Sequence, residues 1–293
     1  MKNGFHGLRI FSIIVIAASL MLVPATFSSF ADKPSNPGKP SFSASVEDLK
    51  APKSVKLPDG RIAEKATFIF YKEGFGHKPG HDKGGGPPDK NGGKGGGEKC
   101  FAFLSKGAKW KSTENYIVNP TNADGLISTF VKSTLDQSVD SWDTEVSFNI
   151  FGTSTTNSSA IPITDSPDDD NIVALGAIVD SSGNLETNVI AVAVVWGIFG
   201  GPPQNRELVA WDVIFNDAAF KFGNAGDTSE TELGDASMMD LENIGTHEIG
   251  HAAGMGHPDI GCTEETMHGS AAFGETKKRT LNSGDIAGIN DLY

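Results

Sequence analysis

Two runs in the second half of the chain are apolar at nearly every position. Asn171 to Val179 reads NIVALGAIV, and Asn188 to Trp196 reads NVIAVAVVW. Short runs this rich in β-branched residues, with no polar alternation, predict central strands of a sheet covered on both faces. Tyr116–Asn119 predicts a further strand, as does Glu207–Asp217, which ends on polar residues. After the turn signals Pro120 and NADG (Asn122–Gly125) the period changes. From Leu126 to Trp142, Leu126, Phe130, Leu135 and Val139 recur close to helical spacing with polar residues between them, which predicts an amphipathic helix laid on a flat partner. A second long helix is predicted over Asp240–Gly254, and a short third one over Ser283–Tyr293 with Ser283 as its cap. No internal repeat is visible.

The first third of the chain reads differently. Lys2 and Arg9 flank the start of an apolar run, Ile10–Val23, that Pro24 breaks, with the small residues of SFA (Ser29–Ala31) following. This is the order of a secretory signal, too short for a span of about 20 residues. Lys65–Phe75 alternates enough for a strand, though little else between residues 32 and 73 supports a core. Residues 74–99 are Gly, Pro and Lys at low complexity, a flexible linker in which His77 and His81 are solvated. The expected organisation is a signal peptide over 1–31, a pro-segment or N-terminal extension over 32–73, a linker over 74–99 and a folded domain over 100–293.

Composition narrows the function classes. The chain has 293 residues, 38% of them apolar, which suits one well-packed core better than two. A formal net charge of −13 repels nucleic acid and anionic lipid heads, and loss of the signal makes it more negative because Lys2 and Arg9 go with it. No later stretch could cross a bilayer, so an exported, soluble product without stable membrane association is expected. The two cysteines, Cys100 and Cys262, suggest one disulfide in such a compartment.

The chemistry concentrates in THEIGHAAGMGH, Thr246–His257, which holds three of the 7 histidines. His247 and His251 are four apart, so on a helix both project from one face and can meet one metal ion. Glu248 sits beside them, able to reach a water on that ion. Catalytic zinc wants three protein ligands and an open fourth position. Gly254 tolerates positive φ and lets the helix stop there, Gly256 adds freedom, and Pro258 prevents its resumption, so His257 can turn back as the third ligand.

This is the H-E-x-x-H-x-x-G-x-x-H pattern of the metzincins. EETMHGS (Glu264–Ser270) follows, with Met267 as the candidate for their methionine turn, and TMHGSAAFGETKKRTLNSGDIAGINDLY resembles the C-terminal pattern of matrixins. The resemblance covers residues 105–293. It implies a metzincin-type zincin fold of class α/β (α+β): a twisted, mostly parallel five-stranded sheet with an edge strand lining the cleft, two long helices and a short C-terminal helix. It implies a secreted, extracellular or cell-surface-associated zinc endopeptidase in which His247, His251 and His257 hold Zn2+ and Glu248 is the general base. Substrate would be an extended peptide lying along Val209–Phe215. The sequence departs from the family in His268 after the turn methionine, expected not to be a ligand, and in lacking the pro-segment motif P-R-C-G-x-P-D.

Several readings stay open. Acidic stretches at Asp165–Asn171 and Asn216–Asp227 are candidates for Ca2+, with Asp217 falling where matrixins carry an acidic segment. Cys100 and Cys262 are bridged, or Cys100 thiolate takes the open zinc position until residues 32–99 are removed, or both are free. Asn157 begins an N-x-S sequon. A monomer is expected. The rival functions are a non-catalytic exported binding protein that keeps the fold, which would have no use for Glu248, and a zinc hydrolase of non-peptide substrates.

Overall fold

The computed structural model describes residues 42–75, 100–226 and 235–293. The chain divides into two units, Met1–Asp32 and Lys33–Tyr293, and every described residue belongs to the second. The expected signal peptide, His77 and His81 in the linker, and the end of the acidic stretch at Asp227 lie outside the described residues.

In chain order the elements are β1 (Ser43–Ser45), α1 (Val46–Lys50), β2 (Ser54–Lys56), β3 (Ile62–Lys72), β4 (Ala102–Phe103), β5 (Glu114–Asn119), α2 (Ser128–Asp143), β6 (Phe151–Thr156), β7 (Ile172–Val179), β8 (Val189–Ile198), β9 (Glu207–Asn216), β10 (Phe222–Gly223), β11 (Met239–Asp240), α3 (Leu241–Ala252), β12 (Met255–Gly256), β13 (Ser270–Ala271) and α4 (Ser283–Leu292). Every strand and helix predicted from the pattern forms, with ends shifted by a few residues. The sheet is larger than the five strands expected. Nine strands join it, in the order β13-β3-β8-β9-β7-β5-β6, with β1 on β7 and β2 on β3. Strands β6, β5, β7 and β9 run parallel, and β8 runs antiparallel to β9.

The all-apolar sequences of β7 and β8 follow from a cover on each face. On one face, Leu135, Val139 and Trp142 of α2 and Ile244 and Ile249 of α3 pack against Ala193, Val195, Trp211, Val213 and Phe215. On the other, Val46 and Leu49 of α1, with Ala63 and Ile69 of β3, close over Val192, Val194, Trp196 and Ile214. Burying such side chains removes roughly 1.5–3 kcal/mol of unfavourable hydration each, which a solvated sheet face would forfeit.

Here the structure departs from the sequence reading. The strand expected over Lys65–Phe75 forms, but it lies inside the sheet, antiparallel to β8 over eight residue pairs. The core support absent from residues 32–73 on inspection comes from strands more than a hundred residues away. Val209–Phe215, expected to line the cleft, lies in β9, which pairs with β8 along most of its length and with β7 from Asp212 on. From Asp212 to Phe215 both edges are taken, so this segment is not a free edge for a peptide, and that expectation is corrected.

Cys100 and Cys262 form a disulfide with a Cα–Cα distance of 5.4 Å. This rules out the free thiols and the thiolate latency device alike, because neither sulfur is available to a metal. The bridge closes a loop of 162 residues, long enough that cross-linking should stabilise by about 3–5 kcal/mol. Replacing both cysteines by serine is expected to lower the unfolding free energy by about that amount in denaturant titration, with native circular dichroism retained.

Candidate metal centre

Helix α3 starts on Asp240, whose Oδ1 accepts the N–H of Asn243 at 2.9 Å. The same carboxylate accepts from Arg279 Nη2 at 2.5 Å, so its burial at the helix start is compensated. The helix then runs wholly buried from Asn243 to Ala252. Two glycines make that depth possible. A side chain at Gly245 would come 2.7 Å from Ser138 Oγ of α2, and one at Gly250 would overlap Met267 and Trp142. Each helical glycine costs about 1 kcal/mol of propensity, offset here by the packing it admits. Trp142 and Trp110 donate their indole N–H groups to Thr246 O and Ala252 O, both at 2.8 Å.

The helix ends as its sequence predicts. Gly254 has φ of 103°, a left-handed conformation that glycine tolerates. The chain reverses and brings His257 back. Its Nε2 lies 3.1 Å from His247 Nε2 and 3.1 Å from His251 Nε2. The orientation of two rings is fixed from outside. His247 Nδ1 donates to Thr266 O at 2.7 Å, and His251 Nδ1 donates to Met255 O at 2.9 Å. A carbonyl only accepts, so the proton sits on Nδ1 and a lone pair on Nε2 in both rings. Burial, then the neighbouring histidines, hold both well below the ordinary histidine range and keep them neutral.

The lone pairs of His247 and His251 both face His257 Nε2, and a proton or a metal cation placed between them relieves their repulsion. Tetrahedral zinc with Zn–N near 2.0–2.1 Å would space its ligand nitrogens by roughly 3.3 Å, close to the distances here. The donor set therefore fits zinc. Among the described residues these three form the one group of three or more potential metal ligands. His268 is outside it.

Glu248 follows His247 and is fully buried. Among the described residues neither of its carboxylate oxygens has a hydrogen-bond partner. Burial pushes its pKa well above the usual carboxylate range. A carboxyl group in that state costs stability unless a ligand or water uses it.

Sequence reasoning anticipated Met267 but missed what holds its turn. The turn's N–H groups, from Thr266 and Met267, donate to Asp285 Oδ2 at 2.6 Å and Oδ1 at 3.1 Å. Asp285 is also the third residue of α4, where it completes a capping box with Asn282. The cap is therefore Asn282 and not Ser283, because Asn282 is extended and its side chain accepts from Ser283 N–H. The D in the SGDI segment was the available signal. Tyr293, the last residue, donates its hydroxyl to Ala253 O at 3.0 Å.

Among the described residues the acidic stretches expected to take calcium form no group of three metal ligands. Asp165 is exposed and pairs with Lys53 at 3.2 Å. Asp217 is buried, its Oδ2 accepts from Ala123 N–H at 2.7 Å, and Asp124 stands nearby. The sequon residue Asn157 is exposed.

A family model described as matrixin matches residues 109–293. Metalloendoproteinase 5-MMP of Arabidopsis thaliana is 37% identical over 68 residues, 23% of this chain and 18% of that protein. Metalloendoproteinase 2-MMP of the same plant is 29% identical over 120 residues, 38% of this chain and 31% of that protein. The match spans less than a third of the length of either relative.

Two outcomes are expected. With free zinc at about a thousand times its Kd, the wild-type chain should gain about 4 kcal/mol of stability over the chelated form, and His257→Ala should gain little, in denaturant melts. The second concerns Asp217, whose pKa burial raises from 3.8 to about 6. A raised carboxylate pKa means stability is greatest below about pH 4 and is lost as pH rises through about 6. Asp217→Asn should therefore be more stable than wild type at pH 7, by at most about 3 kcal/mol, and the advantage should vanish below pH 4. If calcium instead stabilises the wild type and not the variant at pH 7, the carboxylate holds a cation.

Proposed function

Because the chain belongs to the matrixin family, we propose that it is an exported zinc-dependent endopeptidase. The observation that carries this reading is one buried cluster: three imidazole nitrogens directed at a common point, with the unpartnered carboxylate of Glu248 beside them. Both Arabidopsis relatives are named metalloendoproteinases, which supports it. The disulfide supports export, since such bridges persist in oxidising compartments. No helix among the described residues is long and apolar enough to cross a membrane.

His247, His251 and His257 would hold the ion through Nε2. Zinc bound there supplies a Lewis acid, lowering the pKa of its water towards about 7 and polarising the scissile carbonyl. Glu248 accepts the water proton on a carboxylate oxygen and delivers it to the departing amine, so one peptide bond breaks and one water is consumed. Thr266 O and Met255 O keep the two helix imidazoles in the tautomer that binds metal. Met267, buried against Gly250, forms part of the apolar floor that fixes their position.

The expected result is that Glu248→Ala retains one zinc per chain and lowers cleavage of casein by at least a thousandfold. Cleavage should stop in wild type on chelation and return with zinc. Cleavage surviving in the variant would show that another group is the base.

A further inference from the structure

Strand β6 ends the sheet. It stands last in the strand order, at the opposite end from β13 and β3, and among the described residues it pairs with β5 alone. Its sequence, FGTSTT, holds no charge and no proline. Charges and prolines are what usually keep a second chain from pairing with an outer edge, and this edge has neither.

The chain leaves β6 through a tight turn. Asn157 N–H donates to Val118 O of β5 at 3.0 Å, and Ala160 N–H donates back to Asn157 O at 3.1 Å. Inside the turn Ser159 N–H donates to Asn157 Oδ1 at 3.0 Å. This is an Asx turn, in which the side-chain carbonyl is held against the backbone. The amide nitrogen Nδ2 is left without a partner among the described residues. Asn157, Ser158 and Ser159 are all exposed.

Those three residues are the N-x-S sequon, and no other triplet in the chain has the pattern with a middle residue other than proline. Asn119-Pro120-Thr121 comes nearest, with proline in the middle. Asn119 is buried and its Nδ2 donates to Ala160 O at 2.7 Å, so that side chain anchors the turn that presents Asn157.

We propose that Asn157 is the acceptor of an N-linked oligosaccharide, and that the sugar screens the outer edge of β6 from a second copy of the chain. The proposal rests on the export part of the reading above, because the donor is a lipid-linked sugar at the membrane the chain crosses. In the transfer, Nδ2 attacks the anomeric carbon of an oligosaccharide joined to a polyisoprenyl phosphate. The carbon–nitrogen bond forms, the carbon–oxygen bond to phosphate breaks, the lipid phosphate leaves with that electron pair, and Nδ2 gives up one proton. The Asx turn closes within three residues, so it does not wait for the rest of the domain. The sugar is bulky and hydrophilic and would lie beside residues 153–156. β3, whose Phe68 and Phe70 stack on His251 and His247, is five strand steps away in the sheet. At about 4.8 Å per step that is roughly 24 Å, so the metal centre stays clear.

The test expresses the full chain in a eukaryotic secretory host, once with its own leader and once with the host's secretory signal in place of residues 1–31. Wild type is compared with Asn157→Gln and Ser159→Ala. Wild type is expected to lose mass on treatment with peptide N-glycosidase, with Asn157 converted to aspartate in the peptide map, and neither variant should change. Asn157→Gln loses the sugar without adding a charge, so the folded variant is expected to aggregate about threefold faster than wild type. Ser159→Ala keeps the Asn157 side chain and serves if circular dichroism shows Asn157→Gln unfolded. Wild type that enters the secretory pathway under either leader and carries no sugar at Asn157 overturns the proposal. Sugar at Asn157 with equal aggregation by all forms overturns the screening and leaves the modification standing. Secretion and modification only behind the host's signal uphold the site and overturn the export reading.

Discussion

Imidazole nitrogens from three histidines lie 3.1 Å from the nearest neighbour inside a protein, and on two of them the lone pair is fixed towards the third. Without a proton or a cation between them they repel. The rest of the molecule is organised to keep them there. The helix supplies two at a spacing of one turn, the left-handed residue Gly254 returns the third, and two backbone carbonyls fix the tautomers. A divalent cation removes the repulsion and makes the cluster favourable. A twelve-residue helix buried at every position but Glu242, with two glycines, suits the holding of such an ion.

The last thirty residues secure the cluster from below. Asp285 caps α4 and, with the same carboxylate, gathers the N–H groups of the turn that carries Met267. Glu265 accepts from Gly284 and Asp285 N–H at 2.9 and 3.0 Å, tying the same two segments in the reverse direction. Tyr293 reaches the carbonyl of Ala253 beside the helix end, and the Cys100–Cys262 bridge fastens the start of the domain to the loop between His257 and Met267. Lys278 is buried against Glu275 and at the ring of Phe70, so β3 also touches this platform.

What the sequence made legible was local. The i, i+4 histidines, the helix-ending glycine and the apolar runs of β7 and β8 each follow from spacing within a dozen residues, and each forms as read. What it concealed was pairing. β8 and β9 are both apolar runs, so nothing in either says which lies at the edge, and the free edge was expected on Val209–Phe215, whose end is paired with β7 as well as β8. Ile62–Lys72 looked unsupported because its partners, Val189–Ile198 and Ser270–Ala271, are far away in the chain. Phe68 and Phe70 carry no signal of their own, since a phenylalanine stacked on a metal-binding histidine reads the same as one in any core. Asp285 was visible but its double duty was not.

X-ray absorption at the zinc edge of the purified, folded chain tests the central claim most directly. The account predicts one zinc per chain with three nitrogen neighbours and an oxygen, all at about 2.0–2.1 Å. A sulfur neighbour at about 2.3 Å, or folded protein that binds no zinc at all, would contradict it.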